Sequence, residues 1–257
     1  MVGARFTRKP HRSEGRPLTP SLSYLDLIGF GDGGWGPRFV QGTILTIEIS
    51  LAGYAVGIAF GLLGVWAKLS NRVAARIAGQ LYTTLVRAVP ELLLIILLYY
   101  TGTAAIANLL ARIGVAGQIN VNAFAAAVVT LGFVQGAYLT EVFRGAIMAV
   151  PRGVAEAGRA LALRPALRFR LLIMPLALRH ALPGMSNLWL SILKDSSLIS
   201  VVGFSELLFT GKTAAGATKH YFFFFMFTAA VFLVLTAISN IGLGWLQRTA
   251  DRGQARA

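Results

Sequence analysis

Six ionisable side chains fall within or at the ends of long apolar runs of this chain: Glu48, Arg87, Glu91, Glu141, Lys194 and Asp195. An ionisable group is expensive to bury in hydrocarbon, so such groups turn toward a protein interior or a water-filled cavity, where they meet ions, protons or charged solutes. The four carboxylates outnumber the two cations, which favours a cationic solute. Arg87 or Lys194 would then meet a carboxylate of that solute or pair internally. Internal pairing also accounts for part of the set, because Glu141 and Arg144 stand at i, i+3 and Lys194 adjoins Asp195.

A second stretch differs in character. Residues 156 to 179 read EAGRALALRPALRFRLLIMPLALR, with five Arg and two Pro in an otherwise apolar chain. The run VAEAGRALAL is a good helix former that should end where Arg164 precedes Pro165, since a residue before Pro is pushed away from the α region. Pro165 suits the first turn of a second helix. That helix would place Leu167, Leu171, Met174 and Leu178 on one apolar stripe beside Arg164, Arg168 and Arg179, an amphipathic elbow lying at a surface. By contrast, TGKT at Thr210–Thr213 carries no nucleotide chemistry: the position of the first Gly of a phosphate-binding loop is Glu206, and the segment follows an apolar run.

The elements that position these residues are membrane helices. Of the 257 residues 56% are hydrophobic and only 13% are charged, which is far from the balance of a water-soluble domain. A span takes roughly 20 apolar residues. Charge-poor runs of that length occupy 40–67, 92–111, 113–140 and 221–247, and a fifth, discontinuous run at 181–208 is broken by Lys194 and Asp195. Gly53, Gly57 and Gly61 line one face of the first run, a spacing that lets two helices approach closely in lipid. The net charge of +14 lies mainly between these runs, so it reads as membrane topology and not as nucleic-acid binding. The absence of Cys excludes disulfides and thiol chemistry, and the three His are too scattered for a metal site.

Counting basic residues gives the orientation. The loops after the first and third runs and the C-terminal tail hold thirteen, against Arg112, Lys212 and Lys219 on the other side. The basic loop is therefore expected in the cytoplasm and the N-terminus outside. The N-terminal stretch 1–38, read as a polar tail, carries six basic residues against that rule; either the later loops dominate or translation starts downstream of Met1.

The basic loop resembles the cytoplasmic coupling loop of ATP-binding-cassette importer permeases. The family signature runs Glu-Ala-Ala, three residues, Gly, nine residues, then Ile-x-Leu-Pro or a close variant. Here it reads Glu156-Ala157-Gly158, then Arg159, Ala160 and Leu161, then Ala162 at the Gly position, closing on Ile173-Met174-Pro175. Both departures keep the residues small, but a special backbone angle at 162 would be denied to Ala. The stretches TTLVRAVPELLLIILLYY (Thr83 to Tyr100), GAYLTEVFRGAIMAVPRG (Gly136 to Gly153) and LPGMSNLWLSILKDSSLISVVG (Leu182 to Gly203) look like membrane subunits of polar amino-acid importers of the histidine, arginine and octopine type.

That resemblance implies an all-α integral membrane protein with about five transmembrane helices in the type I importer permease fold. Residues 39–247 would form the permease domain, 148–181 its cytoplasmic coupling loop and 248–257 a cytoplasmic tail. It implies a multi-pass protein of the bacterial inner membrane that translocates an amino acid or opine delivered by a periplasmic or extracellular solute-binding protein. A second permease subunit, identical or related, would complete the pathway, and separate ATPase subunits would dock on Glu156, Ala157, Gly158, Arg159, Ala162 and Pro175. Glu48, Glu91, Glu141, Arg87, Lys194 and Asp195 would line the substrate pathway. The chain itself would bind no cofactor and catalyse no reaction. The alternative is an ATP-independent secondary transporter or channel, for which inverted repeats would be expected, and none is visible in the sequence.

Overall fold

The computed structural model describes residues 24–31, 33–112 and 122–251, and among these the regular elements are helical throughout. The chain forms two compact units, Met1–Pro37 and Arg38–Ala257. In the first, within the stretch read as a tail, α1 (Tyr24–Ile28) is followed by a turn in which the Trp35 N–H donates to the Leu27 carbonyl at 2.9 Å and Gly33 takes φ 88°.

The second unit is built around one buried helix. The sequence runs through α2 (Gly36–Lys68), α3 (Val73–Ala88), α4 (Glu91–Arg112), α5 (Ala123–Met148), α6 (Arg152–Ala160), α7 (Pro165–Arg168), α8 (Met174–Asp195), α9 (Leu207–Thr218) and α10 (Tyr221–Asp251). A π-helical turn, Phe169–Ile173, joins α7 to α8, and a 3-10 turn, Ser196–Val202, follows α8. Three apolar clusters share α5: Leu131 and Val128 with Ile49, Ile95, Ile192 and Ile199; Leu139 and Phe143 with Val65 and Ala181; Val134 and Ala137 with Val86 and Leu94. Helices α2, α3, α4 and α8 thus each contribute a buried side chain to the surface of α5.

The glycine stripe of α2 faces α5. A Cβ on Gly61 would lie 2.7 Å from Leu139 Cβ, and one on Gly64 would lie 2.1 Å from Thr140 Oγ1. In return Gly132 and Gly136 of α5 receive Val56 and Phe60, so the two helices interlock through small residues on both sides.

The expected apolar runs map unevenly onto the helices. Among the described residues three helices, α2, α5 and α10, are long and apolar enough to cross a membrane alone, and α3 with the first half of α4 makes a fourth if the pair, bent by 115°, counts as one span. The bend falls where Val89 leaves the α region at φ −99°, ψ 141° before Pro90. The run 181–208 is divided among the end of α8, the 3-10 turn and the start of α9, which places Lys194 and Asp195 in the last turn of a helix and not inside one. Of the run 113–140, residues 113–121 lie outside the described residues; α5 starts after Asn122, whose Oδ1 accepts the Phe124 N–H at 3.0 Å, and extends past Arg144 to Met148.

Candidate functional site

The short helix α6 stands between α5 and the α7–α8 elbow. Eight of its nine residues, Glu156, Ala157 and Arg159 among them, are at least partly solvent-accessible, and only Gly158 is buried. Gly158 sits against the elbow so closely that a Cβ would lie 2.8 Å from Arg168 Cγ and 2.9 Å from Leu172 Cδ1. Glu156 and Arg159 form an i, i+3 ion pair at 3.9 Å with side chains 65% and 63% exposed. A pair so exposed adds little stability, so both side chains are available to another surface.

The end of α6 corrects one sequence expectation. Ala162 does take the special backbone angle, at φ 51°. Around it the Ala162 N–H donates to the Arg159 carbonyl at 2.9 Å and the Leu163 N–H to the Gly158 carbonyl at 3.1 Å, the double closure of a Schellman motif. The left-handed conformation costs an L-residue about 1–2 kcal/mol, which the two bonds and the packing of Gly158 offset. For the same reason α6 stops at Ala160, short of the Arg164–Pro165 break. Pro165 is the first residue of α7, as its fixed φ favours, and Pro175 lies exposed in the first turn of α8. Leu167, Leu171, Met174 and Leu178 form an uncovered apolar stripe, 45%, 58%, 47% and 52% exposed.

The ionisable residues separate into two groups and one outlier. Around the Tyr138 ring of α5, Arg87 from α3 places its guanidinium carbon 5.7 Å from the ring centroid, within cation–π range. Glu91 and Asp195 stand within electrostatic reach of the Tyr138 hydroxyl and of each other. Lys194 adjoins Asp195 but is itself exposed. In the second group the Lys68 ammonium, from the last residue of α2, donates to Glu141 Oε1, while Arg144 Nε donates to Glu141 Oε2 at 2.9 Å. The i, i+3 pairing of Glu141 with Arg144 is therefore present, with Lys68 as an added buried partner. Glu48 stands apart, exposed on α2.

Several functional neighbours escaped the sequence reading. Helix α3 is one, although VAARIAGQLYTTLVRA has a helical apolar period that could have found it. Tyr138 is another, and its signal is faint: one aromatic three residues before Glu141 on a helix. Glu206 is fully buried at the N-terminus of α9, where its Oε2 accepts the Leu208 N–H at 2.7 Å and its Oε1 the Phe209 N–H at 2.8 Å. A carboxylate immediately before the apolar run of α9 is a recognisable capping signal. The neighbouring Leu207 N–H donates to Thr46 Oγ1 at 3.1 Å, which fastens α9 to α2.

A bundle of apolar helices around one buried helix, with a short exposed helix projecting between two of them, has the architecture of a membrane permease. Residues 53–252 match the family described as binding-protein-dependent transport system inner membrane component, and the chain belongs to that family. It is 38% identical over 235 residues to the octopine transport system permease protein of Rhizobium radiobacter, covering 91% of this chain and 99% of that one. It is 36% identical over 224 residues to the histidine/lysine/arginine/ornithine transport system permease protein of Escherichia coli, covering 87% and 98%. The solved structure of an amino acid ABC transporter with histidines superposes with a TM-score of 0.72 at 29% identity, covering 84% of this chain and 95% of that one. Family membership replaces the ATP-independent alternative, and the fold is that of an importer permease.

Proposed function

We propose that this chain is the permease subunit of an ATP-driven importer for a basic or polar amino acid or an opine, and that α6 is the element seated in a separate ATPase. The single observation that carries the reading is the construction of α6: a helix exposed on every side but one, closed by the Ala162 turn and held on the elbow through Gly158. A lever must be rigid and must leave its outer face free, and this helix meets both conditions. Glu156, Ala157 and Arg159 would contact the ATPase, while Gly158, Ala162 and Pro175 shape the loop that carries them. Only residues 149–151 separate α6 from α5, so displacement of α6 reaches the buried helix that carries Tyr138 and Glu141.

In this reading the loop and the C-terminus face the cytoplasm of a bacterial cell, a solute-binding protein delivers substrate from the other side, and a second permease subunit completes the pathway. The chain itself supplies no cofactor. Glu91 and Asp195 would receive the cationic end of the solute, a direction supported by the names of relatives that carry basic amino acids and octopine. Glu48, Lys194, Arg87 and Glu141 would act at the margins of the same route.

The test is co-purification with candidate ATPase and binding-protein partners, followed by substrate-stimulated ATP hydrolysis in lipid. Glu156→Lys is expected to leave membrane insertion intact while abolishing uptake. Unchanged uptake in that variant would remove Glu156 from the coupling contact.

A further inference from the structure

Between the ends of α2, α3 and α5 lies a polar recess of about 400 Å3, lined by Lys68, Gln80, Thr83, Arg87, Glu141 and Arg144. Its charges do not balance: three cations face one carboxylate. Both Glu141 oxygens are already engaged, one by Lys68 and one by Arg144. An ammonium carries three donors and a guanidinium five, so most donors in the recess have no carboxylate to meet. Lys68, whose side chain is only 5% exposed, is held by Glu141, so the charge left over is that of the two guanidiniums, Arg87 exposed and Arg144 partly so at the mouth of the recess. Cations that line one recess with a single shared carboxylate repel one another until a further opposite charge joins them.

We propose that this recess is a binding site for an oxyanion, a carboxylate or a phosphate group. Arg87 and Arg144 supply planar forks suited to two-pronged recognition of such a group, Lys68 a compact charge behind them, and Gln80 and Thr83 neutral hydrogen-bonding groups. Two sources share this chemistry. One is the carboxylate of the transported solute, which rests on the function proposed above: Arg87 borders both the recess and the Tyr138 cluster, so a zwitterion with its cationic end at Glu91 and Asp195 has its carboxylate on the recess side. The other is the phosphate of an anionic lipid, since Lys68 and Arg144 lie near the ends of two apolar helices.

The site is tested without transport, on the full chain in nanodiscs of neutral phosphatidylcholine, by the rise in its unfolding temperature on titration with inorganic phosphate. Wild type and the control Arg248→Gln, altered at an exposed residue of α10, are expected to respond alike. Arg87→Gln and Arg144→Gln are each expected to need about tenfold more phosphate for the same rise. Competition by L-arginine but not by argininamide assigns the site to the solute carboxylate. Loss of the phosphate response in nanodiscs containing phosphatidylglycerol assigns it to lipid. A wild-type chain that does not respond to phosphate, or a response unchanged in both Arg87→Gln and Arg144→Gln, overturns the site whether or not the chain transports amino acids.

Discussion

The Leu163 N–H reaches back to the Gly158 carbonyl at 3.1 Å, and the residue that makes this possible, Ala162, holds a left-handed backbone at φ 51°. The closure gives α6 a sharp end and turns the chain toward Pro165, so the strain at one residue fixes the direction of the whole elbow.

Ala162→Gly should relieve that strain. The gain, about 1–2 kcal/mol from the left-handed penalty, is partly offset by the greater freedom of an unfolded Gly, about 0.5–1 kcal/mol. Amide hydrogen exchange at Leu163 is expected to slow in Ala162→Gly and to quicken in Ala162→Val, because a β-branched side chain fits this conformation worst. Faster exchange in the Gly variant would mean that the turn is not the strained element.

Lys68 and Glu141 form a second dependency. Removing one partner of a buried pair costs about 3–5 kcal/mol when nothing else compensates, and Arg144 compensates in part. Lys68→Met is therefore expected to lower stability by about 2–3 kcal/mol, and the double variant Lys68→Met with Glu141→Met to recover most of that. Thermal unfolding in lipid is the measurement, and a double variant less stable than the single would contradict the assignment.

The contact of α2 with α5 grades its glycines. A methyl group at Gly61 meets the Cβ of Leu139 at 2.7 Å, whereas at Gly57 its nearest neighbour is a Leu139 methyl at 3.3 Å. Overpacking of this kind costs about 1–3 kcal/mol, so Gly61→Ala should destabilise by that amount and Gly57→Ala by much less. Equal losses in denaturant titrations of the two variants would show that the helices are free to separate.

Glu206→Ala removes both acceptors at the start of α9. The loss of the cap, with two N–H groups left unpaired, is expected to cost about 2 kcal/mol, and Glu206→Gln, which keeps one acceptor, about half of that. Hydrogen exchange at Leu208 and Phe209 reports it directly; protection unchanged in Glu206→Ala would show that another group caps the helix.

The sequence by itself determined that the chain is a helical membrane protein, where most of its apolar helices run, and that a basic elbow broken at Pro165 lies between two of them. These conclusions rest on local quantities: the length of apolar runs, the periodicity of small residues and the restriction Pro imposes on its neighbour. The stripe Gly53, Gly57 and Gly61 foretold a close helix contact, but only packing decided that α5 is the partner. Likewise six charges were legible in their runs, yet their division was not, because Arg87, Glu91, Tyr138 and Asp195 come from three helices and from the end of a fourth run that the sequence left discontinuous. Lys68 looked like an ordinary loop charge, and only its burial against Glu141 marks it as part of the core. Ala162 shows the same limit in the backbone: side-chain preference argues against a left-handed turn there, and the combined demand of the Gly158 packing and two hydrogen bonds prevails over that preference. Propensity acts within one residue, whereas these outcomes are set by energies summed over several elements at once.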